Sequence, residues 1–524
     1  MAALDEKVQV TINFSDTLIT RAGFGSVGVQ SETVASGSPR VESFTSLSSL
    51  ATKYAASTKV YKASNALFAA ALASGRTTPT LKIIGRMTKT TVTVDTAVDA
   101  TAYTLTIAGE DIVFTSGVST TTQLIVDGLI AAIEASAQGL LVTATGLTSA
   151  TFVIQPRSEN QTITEADSNL TAADSTETIT QGFNGAVAQD SDWYFVVQTA
   201  RTSAELQETN TWVSGQEKLF FYSSEEVGAL ATTQTDTFGV LAAASAGRAA
   251  GLWHHQGGFD FSVASGVIAS GVATFTTSSA HNLRNDDKLT LAGVLVDASP
   301  STELNTEHTV TVASNTTFTV TTTASGTITG TMTAFARTAF AEAGWIGRMA
   351  TGPTGGESWA DKTLSGIPTS NAFINDTAKV NLSAKKGNWY LALAGVGVTG
   401  SSKSTAGGGG VLHSGRFIDI QWGIDKLKAR VQEEIFALMA NTAGISYTAD
   451  GLNTVEGAIL AAGAELLNDG FLTTTEGQPL VVSMPNLNDI SSTDKVARLL
   501  KDITVTGTVA GKVHNVELTI NLNP

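Results

Sequence analysis

The sequence predicts an α+β multidomain chain, an α/β core with mixed sheets interrupted by one small α+β insertion and one all-β insertion. Three observations carry that prediction. Helical periodicity alternates with short apolar strands over 21–87 and again over 184–258. Threonine-rich stretches of period two break that texture at 88–183 and 259–336. The acids gather in the same two segments: eleven against Lys89 and Arg157 in the first, six against Arg284 and Lys288 in the second, so most of the net charge of −16 lies there. They read as solvated decorations on a nearly neutral body, and near-neutrality favours repeated contact between copies because like charges across an interface repel.

The elements follow in order. Both chain ends alternate apolar and polar residues: Val8, Val10, Ile12 and Phe14 share one strand face, as do Val516, Leu518, Ile520 and Leu522. Such a strand needs a sheet to accept it, either in its own domain or in a neighbouring copy. Residues 1–20 thus form an N-terminal arm strand and 503–524 the C-terminal arm strands. In the core, Leu47, Leu50, Ala51 and Tyr54 share a helical face, a second helix runs near 57–74, and 80–84 is a strand. The first insertion holds strands near 91–95, 103–107, 111–114, 141–144 and 152–155 and a helix over 122–136. The core resumes with strand 193–197, helix 203–212 and strand 218–222. The second insertion holds strands near 272–275, 288–291, 308–312, 318–321 and 327–332, with a turn at Ser314 and Asn315. A C-terminal domain over 337–502 contributes helix 339–349, strand 388–393, a glycine-rich loop at 401–410, a helix starting at Gly423 and another over 455–467. On the Gly423 helix the stripe is Ile424, Leu427, Val431, Ile435 and Leu438; Lys426, Lys428 and Arg430 lie off it, as a solvated face or as a basic ridge for an acidic partner.

Composition bounds the function. With 42% hydrophobic and 15% charged residues among 524, the chain can bury several cores. It contains no cysteine, so neither disulfides nor thiolate metal sites are available. The acidic balance argues against nucleic-acid binding, and no long apolar run or basic-then-apolar start predicts membrane insertion or secretion. Chemical motifs fail on physical grounds. Gly23 to Gly28 matches a dinucleotide fingerprint, but a strand follows where a helix should begin. Gly507 to Lys512 is one residue short of a phosphate loop and reads as a turn between strands. His254 and His255 are adjacent on a strand, point to opposite faces and suit core or surface rather than a shared ion. The pairs Glu225–Glu226 and Asp286–Asp287 lack the facing arrangement of glycosidase carboxylates. The expectation is a non-enzyme without cofactor or metal.

Four pieces carry a family resemblance: 339–347 (AFAEAGWIG), 386–390 (KGNWY), 417–427 (FIDIQWGIDKL) and 451–459 (GLNTVEGAI). Together they resemble the tail sheath proteins of contractile-tailed bacteriophages, over roughly 337–524, with the N-terminal α/β halves similar in order of elements. The resemblance implies a virion structural protein that assembles in the host cytoplasm as a helical homopolymer of stacked rings around a tail tube protein, joined to baseplate and tail terminator proteins. The end strands would complete sheets in neighbouring subunits, and contraction would drive the tube through the host envelope without nucleotide hydrolysis. The C-terminal domain would face the tube, with Lys426, Lys428 and Arg430 as contacts. A tail-tube type virion protein and a carbohydrate-binding or carbohydrate-active surface protein are the alternatives, the second on the threonine-rich β modules.

Overall fold

The computed structural model describes residues 23–31, 34–165, 167–255, 261–281, 283–285, 287–336, 339–371, 373–400, 409–474 and 477–514. The predicted arm strands at 8–14 and 516–522, and most of the glycine-rich loop, lie outside them. The chain divides into two compact units, residues 25–351 with 359–417 and residues 352–358 with 418–514 plus the N-terminal segment through Phe24.

The larger unit is built on an eight-stranded sheet, in the order Val41–Phe44, Leu81–Ile84, Val27–Gln30, Phe195–Gln198, Leu219–Ser224, Ala249–Trp253, Asn388–Leu393, Val396–Gly400. The six central strands run parallel and the two outer ones antiparallel. Parallel strands are covered on both faces, and five of the six are buried at every position. Helices start where a short polar side chain can cap them: Thr58, Thr178, Thr202, Asp236 and Asn375 each accept from a backbone N–H of the first turn. Phe183 stacks on Trp193 and Trp212 within the core cluster.

Two boundaries differ from the sequence expectation. The first insertion ends before 183, because Ile179, Phe183 and Ala186 on helix Ile179–Gln189 are buried in the body core. The expected domain over 337–502 divides: strand Asn388–Leu393 pairs in parallel with Ala249–Trp253 and so belongs to the body sheet. The dinucleotide-like glycines have a packing reason, since a Cβ on Gly28 would lie 2.7 Å from Ile84 and 2.8 Å from Trp193.

The first insertion packs helix Thr122–Ala135 on a four-stranded sheet (Leu170–Thr176, Thr88–Val94, Thr151–Pro156, Val142–Thr148) and a three-stranded one (Glu110–Thr115, Ala102–Ile107, Ile163–Glu165). Glu177 at its exit receives both terminal nitrogens of Arg40, at 2.5 and 2.9 Å, with both side chains almost fully buried. The second insertion is a closed barrel. Its sheet runs Glu307–Thr309, Lys288–Ala292, Met332–Ala336, Phe261–Ala269, Val272–Thr277, Thr317–Thr321, Thr311–Ser314. The first and last of these are separated by Val310 alone, so one bent stretch pairs at both ends and closes the ring. Phe275 and Phe318 stack at 5.5 Å inside it.

The smaller unit is a helical hairpin, Ile418–Asn441 and Ala449–Asn468, with two short ladders: Leu472–Thr473 with Thr508–Val509, and Val481–Ser483 with Thr504–Thr506. Its core is Val455, Ile459, Leu466, Phe471, Leu472 and Leu480. The first helix begins at Ile418, not at Gly423. Gly423 is interior, and its missing side chain is filled by Phe471, whose ring carbons lie 2.3 Å from where a Cβ would be.

Candidate functional site: an uncovered C-terminal surface and a histidine clasp

In the smaller unit, Leu427, Val431, Ile435 and Leu438 pack on the core as the stripe predicts, while Ile424 is 39% exposed. The three basic residues separate. Lys426 is buried and donates to Asp469 and Glu465, both at 2.7 Å; Arg430 is buried and meets Glu465 at 3.1 Å and Glu433 at 2.5 Å. Burial opposes ionisation of Glu465, but Lys426 and Arg430 outweigh it and hold its pKa below the ordinary carboxylate value. A ridge of three solvated cations is therefore corrected to one exposed residue, Lys428. The other two join the helices of the hairpin.

Residues 481–514 contain the helix Ser492–Val496 and three of the short strands, yet none of them is buried. Val496 is 85% and Val513 81% exposed, and Leu499, Val505 and Val509 are also open. Val482, Met484, Leu500 and Ile503 pack partly buried on the hairpin core, and local polar contacts add to this: Ser491 caps the helix and Lys501 pairs with Asp494 at 3.0 Å. Beside this segment a groove of about 450 Å³ is lined by Ile424, Leu427, Val431, Leu472, Leu480 and Val505 among others. Gly507 separates two strands that pair with different partners, so the near-phosphate-loop is a strand change; Lys512 donates to the Gly470 carbonyl at 3.0 Å.

The larger unit holds a polar cluster that sequence reasoning missed. Glu225 and His255 follow adjacent parallel strands, and Asp287 precedes a barrel strand. His255 Nδ1 lies 2.7 Å from Glu225 and Nε2 2.7 Å from Asp287. Burial alone would lower its pKa, but the two carboxylates hold it up at about 9. Its neighbour His254 is buried against the Pro368 carbonyl, and burial pushes its pKa down to about 4. One carboxylate from each dismissed pair thus meets one dismissed histidine. Among the described residues no group of three or more His, Asp or Glu side chains is arranged to hold a metal ion, this cluster included, and no helix is long and apolar enough to cross a membrane.

No protein-family model matches the sequence, and neither does any curated protein. Solved structures do align with it. The helical sheath of the anti-feeding prophage in its contracted state is 9% identical, covering 98% of both chains with a TM-score of 0.47. The contracted sheath complex of the extracellular contractile injection system PVC is 8% identical, covering 98% of this chain and 97% of that one, TM-score 0.47. A sheath tail protein from Desulfitobacterium hafniense is 11% identical, covering 91% and 93%, TM-score 0.40. In these alignments the chain is similar to sheath proteins of contractile tails and injection systems.

Proposed function

We propose that this chain is the sheath subunit of a contractile tail, polymerising with copies of itself into a helical cylinder around a tail tube and shortening to drive the tube through a host envelope. The observation that carries the reading is the uncovered segment 481–514. Two-residue and three-residue ladders are too small to persist alone in water, and their outward valines gain nothing until another chain covers them. Among the described residues each ladder has two strands, which leaves a side of each open to a further strand beside the apolar groove. A strand with one apolar face suits that place, and the sequence has such strands at both ends: Val8, Val10, Ile12 and Phe14, and Val516, Leu518, Ile520 and Leu522. The near-neutral charge outside the insertions supports close repetition of subunits. On this reading the partners are self, the tail tube protein, and baseplate and tail terminator proteins; the location is the virion tail after assembly in the host cytoplasm. Lys428 is the remaining candidate for an acidic patch on the tube, with Lys426 and Arg430 acting as supports of the helix that carries it.

Electron microscopy of the purified chain, beside the same chain lacking residues 1–16, tests this. Hollow cylinders from the full chain that vanish on truncation support strand exchange. Separate particles in both samples would overturn it.

A further inference from the structure

We propose that docking of the second insertion, the barrel, onto the body is gated by a proton on His255, whereas the first insertion is held by a clasp that needs no such proton. The geometry requires the proton. Each ring nitrogen of His255 faces a carboxylate at 2.7 Å, and only an imidazolium donates from both. A neutral ring would turn a lone pair on one carboxylate. Glu225 belongs to the body and Asp287 to the barrel, so losing the proton removes the cation between them and one of the two hydrogen bonds that tie the barrel to the body.

The surrounding groups leave that contact decisive. Glu226, the next carboxylate, is committed to Ser224 and to the backbone N–H and hydroxyl of Thr237. His254 bonds the Pro368 carbonyl. From a third side Phe373 lies 4.8 Å from the His255 ring, and barrel residue Arg284 sits 4.2 Å over the same phenyl face. Ser370 accepts the His255 backbone N–H at 3.3 Å. Arg284 also donates its backbone N–H to Asp287, which fixes the carboxylate for the histidine. The first insertion differs: Glu177 receives Arg40 directly, a carboxylate–guanidinium pair with no imidazole between them.

Linkage sets sign and size. The folded pKa of His255 is raised to about 9 from 6.5, so its contribution is complete below 6.5 and is lost as pH rises through about 9. Glu225 stays with His255 wherever the barrel lies, so only the Asp287 share is linked to docking. That share is about half the shift, or ~10-fold in the docking equilibrium.

Hydrogen exchange of the full chain, read by mass spectrometry from pH 6 to pH 10, compares native protein with His255→Gln. Dividing the variant's rate by the native rate at each pH cancels the intrinsic pH dependence of exchange. In peptides spanning 249–255 and 287–296 the ratio should be ~10 at pH 7 and fall to one by pH 10, while first-insertion peptides stay at one throughout. A ratio that does not change with pH overturns the gate. Should His255→Gln lose its fold, seen as faster exchange in the first insertion as well, Asp287→Asn decides: it should show the same ratio and the same decay, and a flat ratio overturns the proposal.

Discussion

Replacing Gly423 by alanine sets two effects of known sign against each other. Alanine in a helix interior is favoured over glycine by about 1 kcal/mol. The added methyl, however, would stand 2.3 Å from two ring carbons of Phe471, which is 1% exposed. The ring cannot retreat freely. The same ring edge already meets Gly355, where an ideal Cβ would lie 2.6 Å from the ring and 3.0 Å from the Gly423 Cα and where a φ of +71° favours glycine. Overpacking of this kind costs about 1–3 kcal/mol, and the full burial of the ring places it at the upper end, so the net expectation is ~1–2 kcal/mol of destabilisation. Global melting of a multidomain chain is not two-state, so the assay is local. Exchange of amides in 424–435 and 459–472 should quicken by roughly 5–30-fold. Combining Gly423→Ala with Phe471→Leu should cost less than the sum of the two single changes, because the smaller side chain makes room for the methyl. Slowed or unchanged exchange in the single Gly423→Ala variant would refute the reasoning, since it would mean the ring yields and propensity wins.

Other expectations follow from the charges and the uncovered face. Glu177→Gln leaves the buried Arg40 without its counter-charge and should cost about 3–5 kcal/mol, read as faster native-state proteolysis within 88–176. Arg40 and the Met87 N–H lower the pKa of Glu177 against the opposing effect of burial; this contribution is present above the ordinary carboxylate value and lost as pH falls, so acid should loosen the same segment. Val496→Asp with Val513→Asp should leave the isolated subunit's stability within about 0.5 kcal/mol while abolishing cylinders; cylinders of normal yield would place the covering surface elsewhere. Lys428→Glu should weaken co-sedimentation with tubes and spare tube-free polymerisation, whereas Lys426→Glu, facing Asp469 and Glu465 in a buried site, should destabilise the helical hairpin itself, visible by hydrogen exchange.

Local pattern made most elements legible. Strand Asn388–Leu393 and helix Ser203–Ser214 sit where the sequence predicts a strand over 388–393 and a helix over 203–212. Tertiary causes were not legible. Gly423 looked like a helix boundary because a glycine normally weakens a helix interior, and the ring that requires it lies 48 residues on, at Phe471. The burial of Lys426 and Arg430 had a faint trace: they are four apart, as are Glu465 and Asp469 on or beside the next helix, so the two pairs match across a hairpin. The His255 cluster had none, since Glu225 and Asp287 lie 30 and 32 residues away in opposite directions and on separate sheets.

Closure of the barrel by the bent stretch around Val310 has a bearing on fidelity. Under the proposed function, a subunit that recruits foreign strands meets a matching hazard: at the crowding inside a lattice, every bare edge is a decoy for every arm. Among the described residues the seven-stranded sheet folds back on itself through this stretch and leaves no full-length strand at an open edge, so this insertion adds little that competes as an acceptor. Selection on an inserted module would then begin with its silence toward its own kind, ahead of anything it binds.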